Sequence, residues 1–152
     1  MLKGINQRLS ADLVHALMRM GHGDDLVICD VNHPAATIAA ATTFGRLIDF
    51  SGCGILTATR AILSLMPLDS FVPAPVARMQ VVGDAGRILP LFSDMARLCS
   101  AMERHPVEVQ ALDRFGFHAA AKQAFCIVRT SDSGPYGCFI LKKAVVDLPP
   151  LA

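Results

Sequence analysis

A single three-layer α/β/α domain with a largely parallel central sheet is the architecture the sequence predicts, and three observations predict it. Short apolar runs alternate with amphipathic stretches long enough for helices, the order that βαβ units impose. Residues 124–129 read as a continuous apolar strand, as expected of one buried on both faces of a sheet. The chain has 152 residues, 53% of them hydrophobic, which suffices for one domain with a substantial core. No internal repeat, linker or low-complexity segment interrupts it, so residues 1–152 read as one domain with 149–152 as a loose tail.

Taken in order, Ser10 is an N-cap for a helix over 11–20, with Asp12 in its first turn and Gly21 as its stop. Leu13, Val14, Leu17 and Met18 form its apolar face. A strand follows at 26–29. Pro34 suits the first turn of a helix that continues to about Thr43. Residues 46–50 are a second strand, 51–54 a turn, and 55–66 a helix that Pro67 ends. A strand over 76–82 leads into the turn at 83–86 and a helix over 91–103. Residues 107–112 are the next strand and 114–122 a short helix. After the strand at 124–129 comes a turn at 131–135, and the last strand covers 138–146.

Charged residues are only 18% of the chain, an apolar surplus that a membrane or a subunit interface would absorb. A span needs about 20 predominantly apolar residues, and the longest charge-free run, 31–45, is broken by Asn32, His33, Pro34 and further Thr and Gly. No membrane partner is expected, and a homo-oligomer accounts for the surplus. The 14 basic and 13 acidic residues are well mixed, so no nucleic-acid partner is expected either. The opening residues do not resemble a secretory signal. Five cysteines, an odd number without Cys-x-x-Cys spacing, point to buried thiols in a reducing compartment, the cytoplasm.

Acid/base side chains gather around residues 26–29. His22, Asp24 and Asp25 precede that run, and Asp30 and His33 follow it. Gly21 and Gly23 flank His22, so the backbone there can take positive φ and lift the imidazole clear. A strand of about four residues spans roughly 13 Å. The two clusters therefore stand at opposite ends of one strand, or converge across a subunit contact. Histidine titrates near neutrality, and His22 sits at a sheet edge, although a solvated loop histidine reads the same way. Asp30 stands at the carboxyl end of the strand, the rim where open α/β sheets bind ligands; the alternative is that it caps the next turn. His33 belongs to that cluster or merely precedes the helix of Pro34. His22, Asp24, Asp30 and His33 would suit zinc or manganese, but their spacing matches no tight motif, and no metal or other cofactor is expected.

Arg114 marks a strand-to-helix boundary in Asp113-Arg114-Phe115-Gly116-Phe117-His118, where its planar fork clamps hydroxyl or carboxylate oxygens. An ion pair with Asp113 is the plainer reading. Tyr136, the single tyrosine, lies in a Gly-Pro-Tyr-Gly turn in which Gly137 allows close backbone approach. No phosphate loop, dinucleotide fingerprint or nucleophile elbow is present.

Gly21-His22-Gly23-Asp24, the apolar strand, Asp30 and His33-Pro34 resemble the start of the L-fucose mutarotase / D-ribose pyranase family. The likeness continues through Leu68-Asp69-Ser70-Phe71-Val72-Pro73, Arg114-Phe115-Gly116-Phe117, and Tyr136-Gly137 followed by Leu141-Lys142-Lys143. These segments are closer to the L-fucose branch. The resemblance implies an isomerase that interconverts α and β anomers of a free monosaccharide by acid/base ring opening and closure. It implies His22 as proton donor, and Asp30, Arg114 and Tyr136 with Gly137 and Cys138 as the sugar-binding set, alongside His33 and His118. It also implies ring-shaped homo-oligomers, often decamers, with active sites near subunit contacts. Two departures stand out: Cys138 where the fucose branch has asparagine, and His118 where it has tyrosine. Extra sequence also lies around residues 87–105.

Overall fold

The computed structural model describes residues 2–146, and the expected tail at 149–152 lies outside the described residues. Five helices and six strands alternate as α1 (Ala11–Arg19), β1 (Asp25–Cys29), α2 (Ala35–Ala39), β2 (Leu47–Phe50), α3 (Ile55–Leu63), β3 (Val76–Met79), α4 (Pro90–Glu103), β4 (Val109–Leu112), α5 (Arg114–Gln123), β5 (Cys126–Thr130) and β6 (Cys138–Lys142). The sheet order is β2-β5-β1-β6-β3-β4. β1 pairs parallel with β5, β5 with β2, and β3 with β4, whereas β6 runs antiparallel to both β1 and β3. The expected largely parallel sheet is thus present, with a single reversed strand at its centre.

Period-two alternation divides the sheet's side chains between two apolar layers. Leu26 and Ile28 of β1, Phe139 and Leu141 of β6, and Cys126 and Val128 of β5 face α1, α3 and α4. Val27, Cys29, Ile127, Cys138 and Ile140 face α2 and α5. α1 begins as expected, with Ser10 Oγ accepting from Leu13 N–H at 3.2 Å. Its inward face, however, is Leu13, Ala16 and Leu17, and Met18 is 80% exposed.

Other differences have local causes. The helix expected to reach Thr43 stops after Ala39, because the Thr42 hydroxyl donates to Ala39 O at 2.7 Å and turns the chain. β3 ends at Met79, and Val81 instead forms an isolated bridge to Asp84. β6 stops at Lys142, after which only a bridge between Lys143 and Leu68 remains. Most of the extra segment at 87–105 forms α4, which buries Phe92, Met95, Leu98 and Cys99. Among the described residues, no helix is long and apolar enough to cross a membrane.

Phe139 is fully buried on β6 and meets Phe92 edge-on at 6.1 Å. Removing that ring from the centre of the sheet leaves a cavity the strands cannot collapse around. Phe139→Ala is expected to lower the unfolding free energy by about 3–5 kcal/mol, measured by urea denaturation. A loss below about 1 kcal/mol would contradict this packing.

Candidate active site

β1 separates the two predicted clusters. Asp30 and His33 leave its carboxyl end, whereas His22 and Asp24 precede its amino end. Five residues of extended chain are about 17 Å long, so His22, Asp24, Asp30 and His33 do not form one ligand set within a chain. Among the described residues, no group of three or more metal-ligating side chains could hold an ion.

At the carboxyl end, Asp30 is 3% exposed. Its Oδ1 accepts from Asn32 N–H at 2.8 Å and His33 N–H at 3.0 Å. Its Oδ2 accepts from Gly137 N–H at 2.9 Å, with Cys138 Sγ farther off at 3.7 Å. Asp30 therefore both caps its own turn and reaches across to the β5–β6 connection. Tyr136 holds that connection in place. Its φ is +60°, a conformation that strains a non-glycine residue, and its hydroxyl accepts from Val82 N–H at 3.0 Å.

His33 is buried. Its Nδ1 lies 3.4 Å from Cys138 Sγ, and its Nε2 has no partner among the described residues. The His118 ring stacks on it, with centroids 5.1 Å apart and planes 8° from parallel. Burial first, and then neighbouring His118, pushes the His33 pKa down to about 4, against a pull from Asp30. His118 is also lowered, by burial and then by the charges of Arg114 and Lys122. Both rings are neutral near pH 7. Burial and nearby Asp30 push the Cys138 thiol up, which keeps it protonated.

Asp30, His33, Tyr136, Cys138 and His118 line an open cavity of about 370 Å³, together with Met79 and Pro34. A second cavity of about 400 Å³ is lined by Val82, Asp113, Arg114 and Phe115. Arg114 is exposed and lies over the Phe115 ring at 5.0 Å. Among the described residues Arg114 makes no ion pair with Asp113, the alternative reading of this segment: Asp113 is the N-cap of α5 and its Oδ1 accepts from Gly116 N–H at 2.8 Å. The guanidinium thus faces solvent beside the cleft. A larger cavity of about 530 Å³ lies over the N-terminal segment, lined by Leu2, Leu9 and His15, but it brings no carboxylate to the imidazole.

At the opposite rim, Gly23 takes the positive φ (+84°) that presents His22, and Gly21 does not. His22 Nε2 lies 3.2 Å from Asp69 Oδ2, and the ring meets Phe71 edge-on at 5.3 Å. Asp69 is buried and held ionised: the Phe71 N–H bond, followed by the bond from His22, lowers its pKa against the opposing effect of burial. No spacing rule ties residue 69 to residue 22, so local sequence gave no sign of this contact. Asp132 was missed in the same way; its Oδ2 accepts from Ile55 N–H at 3.2 Å and caps α3 from the far loop.

The chain is similar to several known proteins. Residues 3–146 match the RbsD / FucU transport protein family. The chain is 38% identical over 156 residues to the fucose mutarotase of Homo sapiens, covering 99% of this chain and 97% of that protein. The solved fucose mutarotase of Streptococcus pneumoniae, in complex with L-fucose, is similar at TM-score 0.83 and 35% identity, covering 96% of this chain and 100% of that one. The FucU structure from Bifidobacterium longum gives a TM-score of 0.87 at 33% identity, over 95% and 100% of the two chains.

Two consequences are measurable. A Cβ at position 137 would stand 3.1 Å from Asp30 Cβ and 3.3 Å from Ile55 Cγ1. Gly137→Ala is therefore expected to cost about 1–3 kcal/mol through overpacking, read by chemical denaturation; an unchanged midpoint would refute the contact. The second concerns pH. The folded pKa of His33 lies below its ordinary 6.5, so the neutral ring stabilises the fold above that value, and the contribution is lost as pH falls through 6.5 toward about 4. The stability difference between wild type and His33→Gln is expected to shift in favour of the variant over that interval. A difference that stays constant in urea titrations would show that His33 is not held neutral.

Proposed function

The chain belongs to the RbsD / FucU family, and on that premise we propose that it is a sugar mutarotase, an isomerase that interconverts the α and β anomers of L-fucose or a related monosaccharide without a cofactor. The observation that carries the reading is Asp30. This buried carboxylate has no ionic partner among the described residues and is held by backbone N–H groups at the wall of a cavity of about 370 Å³. A buried charge without a cation is costly unless other groups satisfy it, and a sugar hydroxyl is a donor that suits its remaining capacity. His33, His118, Tyr136, Gly137 and Cys138 surround the same space, and Arg114 lines a separate cavity with Val82 and Phe115.

The reaction needs a proton for the ring oxygen. Protonated His22 donates it as the C1–O5 bond breaks and that electron pair stays on O5. Water takes the O1 proton while the C1=O1 bond forms. After rotation about C1–C2, the O5 hydroxyl adds to the other carbonyl face and returns its proton to His22, and O1 regains a proton from water. Such acid/base help is worth typically about 10²–10⁴-fold.

His22 and Asp30 lie too far apart in one chain to share a sugar, so the site is assembled from two copies. Exposed apolar side chains at both rims support this: Phe71 beside His22 is 74% exposed, and at the other rim Phe115 is 75%, Val82 59% and Ile88 60% exposed. The assembly is a closed ring, a decamer by the family resemblance. Five free cysteines, four of them buried, fit a reducing compartment such as the cytoplasm.

Saturation-transfer NMR tests the activity. Faster α/β exchange of L-fucose, abolished in His22→Ala, is the expected result. Acceleration of D-ribose pyranose–furanose exchange alone would move the protein to the pyranase branch. Sugar binding without any acceleration would make it a binding protein. Shared sites add a sharper expectation: His22→Ala and Asp30→Asn proteins, each inactive, should recover activity in about a quarter of sites when refolded together in equal amounts. No recovery in mixed oligomers would overturn the two-copy site.

A further inference from the structure

The five cysteines do not share one environment. Cys99 lies in α4 with Met95 Sδ at 3.7 Å, and Cys126 faces the layer of α1, α3 and α4. Cys29 of β1 and Cys138 of β6 stand directly opposite one another, and both turn toward α2 and α5. Opposed residues in an antiparallel pair alternate between hydrogen-bonded and non-hydrogen-bonded positions, the latter with their side chains closer. The Lys143 N–H donates to Asp24 O at 2.9 Å, so counting along the ladder makes Cys29 and Cys138 a non-hydrogen-bonded pair. Cys29 O agrees with that count: it is turned to β5, where it accepts from Thr130 Oγ1 at 3.1 Å. Cα atoms in such a pair are about 4.5 Å apart, inside the roughly 4.4–6.8 Å that a disulfide spans. Access is one-sided. Cys29 is 0% exposed, whereas Cys138 lines the open cavity of about 370 Å³ and has His33 Nδ1 at 3.4 Å.

We propose that Cys29 and Cys138 form a redox modification site, at which a small two-electron oxidant of the hydroperoxide class closes a cross-strand disulfide in the wall of the candidate sugar cavity. The Cys138 sulfur attacks one peroxide oxygen, the O–O bond breaks, and the other oxygen leaves as water with the thiol proton, which His33 Nδ1 is placed to relay. Cys138 is then a sulfenic acid. The Cys29 sulfur displaces its hydroxyl, which departs as a second water with the Cys29 proton. The two thiols lose two electrons and the peroxide gains them. Burial and nearby Asp30 keep the Cys138 thiol protonated, so the reaction is slow. Bulky disulfides are poor reagents for a residue only 3% exposed. Closing the bridge turns the Cys138 sulfur toward β1. His33 Nδ1 loses its partner, and Asp30 Oδ2 keeps the Gly137 N–H but loses the sulfur at 3.7 Å. The consequence for the sugar rests on the mutarotase reading: binding weakens, while His22 at the other end of β1 is left alone.

Hydrogen peroxide provides the probe. The reduced protein is treated, denatured with its remaining thiols blocked, and digested without reductant. The expected product is a pair of peptides joined through Cys29 and Cys138 and released by dithiothreitol, with Cys99 and Cys126 still free thiols. Treated protein should show a KM for L-fucose anomer exchange raised about three- to tenfold, the size of one neutral hydrogen bond. Its kcat should change little, and reduction should restore the KM. Cys29→Ala, outside the cavity lining, should keep the rate of the reduced wild type and form no bridge. A Cys138 left as a thiol, or carried on to sulfinic acid with no bridge to Cys29, would overturn the site. A bridged protein with unchanged KM would overturn its hold on the cavity. Should Cys29→Ala fail to fold, the peptide map of the oxidised wild type still decides. The two readings also fail separately: reduced protein that does not accelerate anomer exchange removes the mutarotase, whereas the peptide map judges the bridge without reference to any sugar.

Discussion

Five residues of buried, extended chain set the terms for everything else. β1 pairs with β5 on one side and β6 on the other, and Leu26 to Cys29 are fully buried between the helical layers. Such a strand cannot bend, so whatever precedes it and whatever follows it stay about 17 Å apart. The rim that carries His22 and the rim that carries Asp30 are rigidly placed on the same element and cannot meet within one chain. A second copy is the simplest way to bring them together, and the apolar side chains left at both rims are what such a contact would cover. In the proposed two-copy site, strand geometry would couple oligomerisation to catalysis.

Aspartates carry out most of the positioning, and they do so through backbone amides. Asp30 gathers three N–H groups, from Asn32, His33 and Gly137. Asp69 takes that of Phe71, Asp113 that of Gly116, and Asp132 those of Ile55 and Gly134. Amide donors satisfy a carboxylate's oxygens without a neighbouring cation. This distinction suits a neutral ligand. A site closed by a lysine or arginine pair would have to break an ion pair to admit a hydroxyl, whereas Asp30 has no ionic partner among the described residues and is met by three backbone N–H groups.

The fold was largely legible because its signals are local: helical stripes, a proline or glycine at each boundary, and apolar strands. The errors came where a side chain redirected the backbone, as the Thr42 hydroxyl does after α2. The candidate site divided along the same line. Asp30 stood out by its place at a strand end, and His22 by its glycines. Their partners did not, since Asp69 and Asp132 are brought in by tertiary packing from distant segments. Asp113 stood just before the expected helix start at residue 114, and its carboxylate caps α5 rather than pairing with Arg114.

The two departures from the fucose-branch pattern are one rearrangement. Cys138 and His118 do not touch the same group by coincidence; His33 lies between them, its Nδ1 at the Cys138 sulfur and its face against the His118 ring. A thiol offers one weak donor where an amide side chain would offer two strong ones. The neighbouring rings are neutral, pushed there by burial and by Arg114 and Lys122. This wall of the cavity therefore selects by shape and stacking more than by strong hydrogen bonds. His22 and Asp69 sit at the far end of β1, untouched by either change. In the proposed reaction the substitutions bear on which sugar is held, while proton transfer falls to His22 at the other end of β1.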